Sequence, residues 1–310
     1  MLTLYFAAGR ARWPAYEAPL RKALAEAGIA AEVSPDCADP AAVDYIIFAP
    51  GGEIEDFSPF TRCKAVLNLW AGVEKIVGNP TLTQPLCRMV DPALTAGMVE
   101  WVLGHTLRHH LGMDRHIINP THEWDPTSPP IATERPVTIL GLGALGQACA
   151  GALQTLGFPV TGWGRTPKEI AGLRCYHGAS GLKTALTQAQ IVVLLLPNTP
   201  ETQNILNVES LDWLADGAFV LNPGRGHLID DDALLAALDA GKLGHATLDV
   251  FRTEPLPQDH RFWAHPRVTV TPHIAAETRP VSASRVVVEN IRRAQAGEPL
   301  LHLVDRLRGY

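Results

Sequence analysis

The sequence predicts an α/β protein built as two doubly wound, parallel-sheet domains, and three observations lead there. Apolar segments of strand length alternate with helix-period stretches along almost all of the 310 residues, which is the pattern of parallel strands joined by crossover helices. Hydrophobic residues make up 46% and charged residues 19%, enough apolar content for buried cores and too much for a disordered or fibrous chain. A glycine-rich turn, Gly141-Leu-Gly-Ala-Leu-Gly146, stands between a strand pattern and a helix pattern, the junction at which a second wound sheet opens.

Taken in order, residues 2–7 form a first strand, 15–27 an amphipathic helix closed by Gly28, and 31–34, 45–49 and 66–70 further strands. Asp91-Pro92 pairs a capping residue with a proline at the first helical position, so a helix runs from there to about residue 110. His105 and His109 lie four apart on it, with His110, His116 and His122 nearby. No glutamate follows the first histidine and no carboxylate completes a ligand set, so they read as a solvated helix face and no metal is expected. Residues 119–136 are rich in proline and lack periodicity, which predicts an extended loop with Trp124 as its one large apolar residue. Strands are expected at 137–140, 160–163, 191–196, 219–221, 246–250 and 268–271. A helix at 230–240 begins with three aspartates, favourable against its dipole. A last amphipathic stretch, 281–296, is expected to return over the first domain, which makes the domains 1–96 plus 281–310, and 97–280.

Composition excludes several partners. Lysine and arginine number 26 against 32 acidic residues, a net charge of −6, so no global basic field draws nucleic acid or an anionic membrane. The apolar runs fall well short of the roughly 18 residues of a membrane span. Five cysteines, Cys37, Cys63, Cys87, Cys149 and Cys175, stand at least 24 residues apart, which encodes neither a disulfide framework nor a zinc knuckle and points to a cytoplasmic chain.

The glycine turn carries chemistry. Gly141 permits a tight turn, Gly143 lets the backbone approach a pyrophosphate, and Gly146 lets helix and strand pack closely; Ala144 and Leu145 begin the helix whose N-terminus faces the phosphates. The next strand ends in Gly164-Arg165-Thr166-Pro167-Lys168. An acidic residue there would hold a free ribose 2′-hydroxyl; Arg165, Thr166 and Lys168 instead suit a 2′-phosphate, so NADP(H) is favoured. Glu169, a few residues on, leaves NAD(H) possible.

Three later strands end in polar residues: Asn222-Pro-Gly-Arg225-Gly226, Leu248-Asp249 leading to Glu254, and Thr271-Pro-His273. In a wound sheet such ends line the ligand crevice. Reducing a ketone carbon builds negative charge on its oxygen, which calls for a proton donor and a cation. His273 can donate the proton, Glu254 can hold its far ring nitrogen, and Arg225 can fork onto the carboxylate and carbonyl oxygen of a 2-oxo acid.

These segments, with Leu196-Pro-Asn-Thr-Pro-Glu-Thr202 and the tail from Val304 to Tyr310, resemble the D-isomer-specific 2-hydroxyacid dehydrogenase family. The resemblance is dense from Val137 onward and loose before it. It implies a flavodoxin-like substrate domain and a Rossmann nucleotide-binding domain with the site in the cleft between them. It also implies that Arg225, Glu254 and His273 form the catalytic set and that Asp249 holds the nicotinamide carboxamide. Pro197, Thr199 and Thr202 would lie beside the cofactor. The loop of Trp70, Ala71 and Gly72 would offer backbone N–H groups to the substrate carboxylate, with Phe48 shaping the pocket. Trp124 matches a tryptophan that reaches the partner subunit's site in a homodimer, or else anchors its own loop. Glyoxylate and hydroxypyruvate are the substrates so implied. An NAD-linked dehydrogenase of another hydroxy acid and a non-catalytic nucleotide sensor are the alternatives.

Overall fold

The computed structural model describes every residue except 307, 308 and 310, so part of the tail that carries the family resemblance lies outside the described residues. The chain divides into two units, Met1–Leu94 with Glu277–Tyr310, and Thr95–Ala276.

The first unit holds five strands, β1 (Leu2–Ala7), β2 (Ala31–Ser34), β3 (Tyr45–Phe48), β4 (Ala65–Asn68) and β5 (Leu86–Cys87), in the order β2-β1-β3-β4-β5 and all parallel. Every residue of β3 and β4 is buried, which is why both are nearly unbroken apolar runs: helices cover both faces of such a sheet. The helix Trp13–Glu26 buries Tyr16, Leu20, Ala23 and Leu24. The helix Pro280–Ala296 joins the same apolar cluster through Ala283, Val287, Val288 and Ile291, so the late amphipathic stretch does return to the first sheet. Strand β5, two residues at the sheet edge, is too short to leave a periodic signal.

The second unit holds β6 (Val137–Leu140), β7 (Val160–Gly164), β8 (Arg174–His177), β9 (Ile191–Leu194), β10 (Ala218–Asn222), β11 (Leu243–Leu248) and β12 (Val268–Val270), in the order β12-β11-β10-β9-β6-β7-β8. All its ladders are parallel, and the order reverses between β6 and β9, the switch point at which ligands bind outside the carboxyl ends of the strands. Strand β8 went unread in the sequence because it is an edge strand with both ends exposed and has no apolar run.

The helix Pro92–His110 starts as expected, with Asp91 Oδ1 accepting the N–H groups of Ala93 at 2.8 Å and Leu94 at 3.0 Å. Its histidines require a correction. They are not a solvated face: His109 and His110 are each 5% exposed. Met98, Val102, His105 and His109 follow one another at steps of four, three and four, and the burial of Met98 and Val102 puts the two histidines on the helix's core stripe. His109 Nε2 meets Thr247 Oγ1 at 2.9 Å, and its ring stacks on Phe219 at 4.8 Å and lies 5.1 Å from His245. Burial pushes His109 down to about 3 and His245 down to about 4. Among the described residues no three acidic, histidine or cysteine side chains are grouped to hold a metal, and no helix is long and apolar enough to cross a membrane. Residues 119–136 are irregular apart from one short turn of helix at Ala132–Glu134.

Candidate active site

The site is built from the carboxyl ends of the second unit's strands. Strand β6 runs into Gly141, which has φ +110°, and a side chain on Gly146 would come within 1.8 Å of the Gly141 carbonyl oxygen, so helix and turn pack at a distance only glycine allows. Beside Gly143, by contrast, nothing lies within 4 Å. The helix Ala144–Thr155 begins there without a side-chain cap, and Gly143 and Ala144 are exposed. The first-turn N–H groups, including those of Leu145 and Gly146, therefore present an uncapped positive dipole end beside open space, which fits the pyrophosphate of a dinucleotide.

The turn after β7 carries the cations. Arg165 Nη1 lies 3.1 Å from Glu201 Oε2, and Lys168 Nζ donates to the Leu142 carbonyl at 2.6 Å, tying the basic turn to the phosphate turn. Thr166 is exposed between them. After β9, the Thr202 hydroxyl donates to Pro197 O at 2.7 Å and accepts the Thr199 N–H at 2.9 Å, with Thr199 Oγ1 3.2 Å away. Both threonines are buried, so these side chains brace the loop from within.

The three polar strand ends fall side by side, because β10, β11 and β12 are neighbours in register, Asn222 opposite Leu248 and Leu248 opposite Val270. At the end of β10, Asn222 accepts the Gly224 N–H at 3.1 Å and donates to the Arg225 carbonyl at 2.9 Å, holding the loop that presents Arg225. That guanidinium donates to Gly224 O at 2.6 Å. After β11, Asp249 is 1% exposed; its Oδ1 accepts the Thr271 hydroxyl at 2.5 Å and the Ile274 N–H at 2.9 Å, and its Oδ2 accepts the Ala275 N–H at 2.9 Å. These bonds straddle His273, whose own N–H reaches Asp249 O at 2.8 Å.

His273 adopts φ +54°, a left-handed conformation unusual for a side chain of this size and one the surrounding bonds must hold. The payoff is its aim: Nδ1 lies 2.7 Å from Glu254 Oε2. The other Glu254 oxygen accepts the Phe251 N–H at 2.9 Å, so neither residue of the pair is free to rotate. With Nδ1 paired to a carboxylate, Nε2 is the ring nitrogen left for a further partner. The structure thus joins Glu254 to His273 directly and sets Arg225 on the adjoining strand end. Asn222 and Thr271, which the sequence marked only as polar strand ends, have positional roles that become visible with their hydrogen bonds.

Phe48 and the loop of Trp70, Ala71 and Gly72 belong to the first unit. Phe48 is 6% exposed and packs edge-on against Phe57 at 5.7 Å; Trp70 lies under the Arg12 guanidinium at 5.7 Å. Among the described residues, none of the N–H groups of residues 70–73 donates a hydrogen bond. Trp124 is 91% exposed.

Known proteins share this framework. Residues 102–275 match the family described as D-isomer specific 2-hydroxyacid dehydrogenase, NAD binding domain. A glyoxylate/hydroxypyruvate reductase A of Serratia proteamaculans is 43% identical over 258 residues, covering 80% of this chain and 82% of that protein. A D-isomer specific 2-hydroxyacid dehydrogenase of Xanthobacter autotrophicus, solved with NADPH and MES, superposes with a TM-score of 0.91 at 38% identity over 99% of each chain. An NADPH-dependent glyoxylate/hydroxypyruvate reductase of Sinorhizobium meliloti, solved with NADP and sulfate, gives 0.85 at 34% identity over 100% of this chain and 99% of that one. With an open glycine turn at the switch point and a carboxylate-held imidazole four strands away, the chain belongs to the D-isomer-specific 2-hydroxyacid dehydrogenase family.

Proposed function

We propose that this chain reduces small 2-oxo acids with NADPH, converting glyoxylate to glycolate and hydroxypyruvate to D-glycerate. The observation that carries the reading is the 2.7 Å contact of Glu254 with His273 at the end of the sheet that also bears Arg225. When bound, the reduced nicotinamide supplies the hydride. Around it, Gly141, Gly143 and the helix start at Ala144 hold the pyrophosphate, Arg165 and Lys168 neutralise the 2′-phosphate with the Thr166 hydroxyl as a further donor, and Asp249 adds a carboxylate oxygen for the carboxamide. Pro197, Thr199 and Thr202 shape the wall of the cofactor site.

Arg225 grips the acid by its carboxylate and carbonyl oxygen, drawing electron density toward that oxygen. His273 Nε2 delivers the proton the oxygen needs as it becomes a hydroxyl, while Glu254 keeps the ring aimed and stabilises its charged form. The unpartnered N–H groups at Trp70, Ala71 and Gly72 take the substrate carboxylate, and Phe48 limits the size of the acid. The working form we propose is a cytoplasmic homodimer. Ile117, Ile118, Trp124 and Ile131 are 74%, 73%, 91% and 65% exposed, an apolar series on one arm that a second copy of the chain would cover, with Trp124 reaching the partner's substrate.

Initial rates of NADPH and NADH oxidation with each acid test the reading. His273→Ala should lower kcat by about 10²- to 10⁴-fold while NADPH binding stays as in wild type. Tight cofactor binding by wild type with no turnover of any 2-oxo acid overturns the enzymatic reading in favour of a nucleotide sensor.

A further inference from the structure

The N–H groups at residues 70–73 are useful to an anion only if their peptide planes are held, and one side chain outside the proposed catalytic set holds them. Asn68, the last residue of β4, is 1% exposed. Its Nδ2 donates to Trp70 O at 2.9 Å and to Gly72 O at 3.0 Å. Both partners are carbonyl oxygens, so the amide can face them only with its NH₂ group, and the assignment of oxygen and nitrogen is fixed by chemistry. In a trans peptide the carbonyl and the following N–H point in opposite directions. Drawing Trp70 O and Gly72 O inward toward Asn68 therefore turns the Ala71 and Val73 N–H groups outward.

The two peptides are not equally guarded. Trp70 O also accepts the Met89 N–H at 3.0 Å, whereas among the described residues Gly72 O has Asn68 as its hydrogen-bond donor and no other. The other amide atom, Asn68 Oδ1, is buried without a partner. A buried acceptor left unpaired is a cost that an apolar residue at the end of β4 would avoid, so what distinguishes asparagine here is its donor pair.

From this geometry we infer that Asn68 is a positioning residue that presets the Trp70–Val73 loop as a carboxylate-binding nest, acting on substrate affinity through backbone orientation. This rests on the proposed reading of the loop as the substrate's carboxylate subsite. Its action is confined to one ligand: the cofactor residues lie in the other unit of the chain.

The test pairs kinetics with a direct view of the loop. For Asn68→Ala and Asn68→Leu, KM for glyoxylate should rise roughly tenfold or more, the loss of one to two hydrogen bonds' worth of preorganisation, with KM for NADPH unchanged and kcat within about threefold. Asn68→Asp supplies a signature that simple destabilisation lacks. As a carboxylate it opposes both carbonyls and should bind substrate worst at alkaline pH; as a neutral acid it regains one donor, so its KM defect should shrink as pH falls. In parallel, oxamate, an unreactive 2-oxo-acid mimic with an amide in place of the reducible carbonyl, is titrated while the backbone amide signals of residues 70–73 are followed by NMR. Shifts in wild type that vanish in Asn68→Ala support the inference. Wild-type-like shifts and KM in Asn68→Ala and Asn68→Leu overturn it while leaving the subsite reading intact. No shift at residues 70–73 in wild type overturns the subsite reading and the inference together, whether or not the acids turn over.

Discussion

Replacing Glu254 by glutamine separates the charge of the His273 partner from its shape. In the native pair one carboxylate oxygen accepts the Phe251 N–H at 2.9 Å and the other meets His273 Nδ1 at 2.7 Å. A glutamine of the same length must keep its oxygen on Phe251, since its NH₂ cannot accept from that N–H. The NH₂ is then turned onto His273 Nδ1, which can receive it only as a bare nitrogen. The ring stays in place and its charged form loses the counter-charge. A charge-assisted hydrogen bond contributes about 1.5–3 kcal/mol. His273 is 51% and Glu254 35% exposed in their side chains, so water screens the pair and the lower half of that range applies, roughly 1.5–2 kcal/mol. The expected loss in kcat/KM is about 10- to 30-fold, with NADPH affinity and melting temperature close to wild type. Glu254→Ala also strands the Phe251 N–H and should lose more rate together with some stability. Steady-state rates on glyoxylate and hydroxypyruvate decide the matter. A glutamine variant within about threefold of wild type in kcat/KM would show that the carboxylate contributes nothing to His273 beyond its shape.

Three other outcomes follow from the same structure. Arg165→Ala should raise KM for NADPH roughly tenfold, the loss of one charge-assisted contact, and leave KM for NADH nearly unchanged; equal shifts for both cofactors would show that Arg165 does not read the 2′-phosphate. In Gly226→Ala the new methyl would come within 2.0 Å of the Phe251 carbonyl carbon and 2.4 Å of the Arg252 nitrogen, so the loop leading to Glu254 must shift. Rate should fall by about 10²-fold, and wild-type turnover would refute that coupling. The third concerns acid stability. His109 and His245, pushed down to about 3 and about 4 by burial, remain neutral in the fold, whereas in the unfolded chain they protonate near 6.5. Their contribution is therefore complete above about pH 6.5 and drains as pH falls toward 4 and then 3, on the order of a few kcal/mol together. Melting temperature should drop through that window, and His109→Phe, which keeps a ring against Phe219, should flatten the drop; parallel curves for variant and wild type would assign the acid sensitivity elsewhere.

How far the sequence alone could carry these arguments depends on whether a feature is local. Strands β3 and β4 were legible because burial on both faces demands unbroken apolar residues, and β8 was not, because an edge strand with exposed ends needs no such run. The histidine helix misled for a related reason: residue type argued for solvent while spacing from Met98 and Val102 argued for the core, and the spacing was right. At the site, Arg225, Glu254 and His273 could be picked out as candidates from polar residues ending apolar strands. Their aim could not. The left-handed turn at His273 is held by Asp249, whose carboxylate gathers Thr271, Ile274 and Ala275 across the ladder between β11 and β12. A non-glycine residue in that backbone region costs on the order of 1 kcal/mol or more, and three hydrogen bonds to one buried carboxylate outweigh it. The geometry of the proposed catalytic set therefore depends on strand register, which relates residues some twenty positions apart and leaves no mark on either segment by itself. Asp249 accordingly contributes to the proposed chemistry twice over, as a neighbour for the cofactor and as the clamp on His273. Its replacement should disturb the pH profile of turnover as well as cofactor binding, whereas a residue that served the cofactor alone would move only the second.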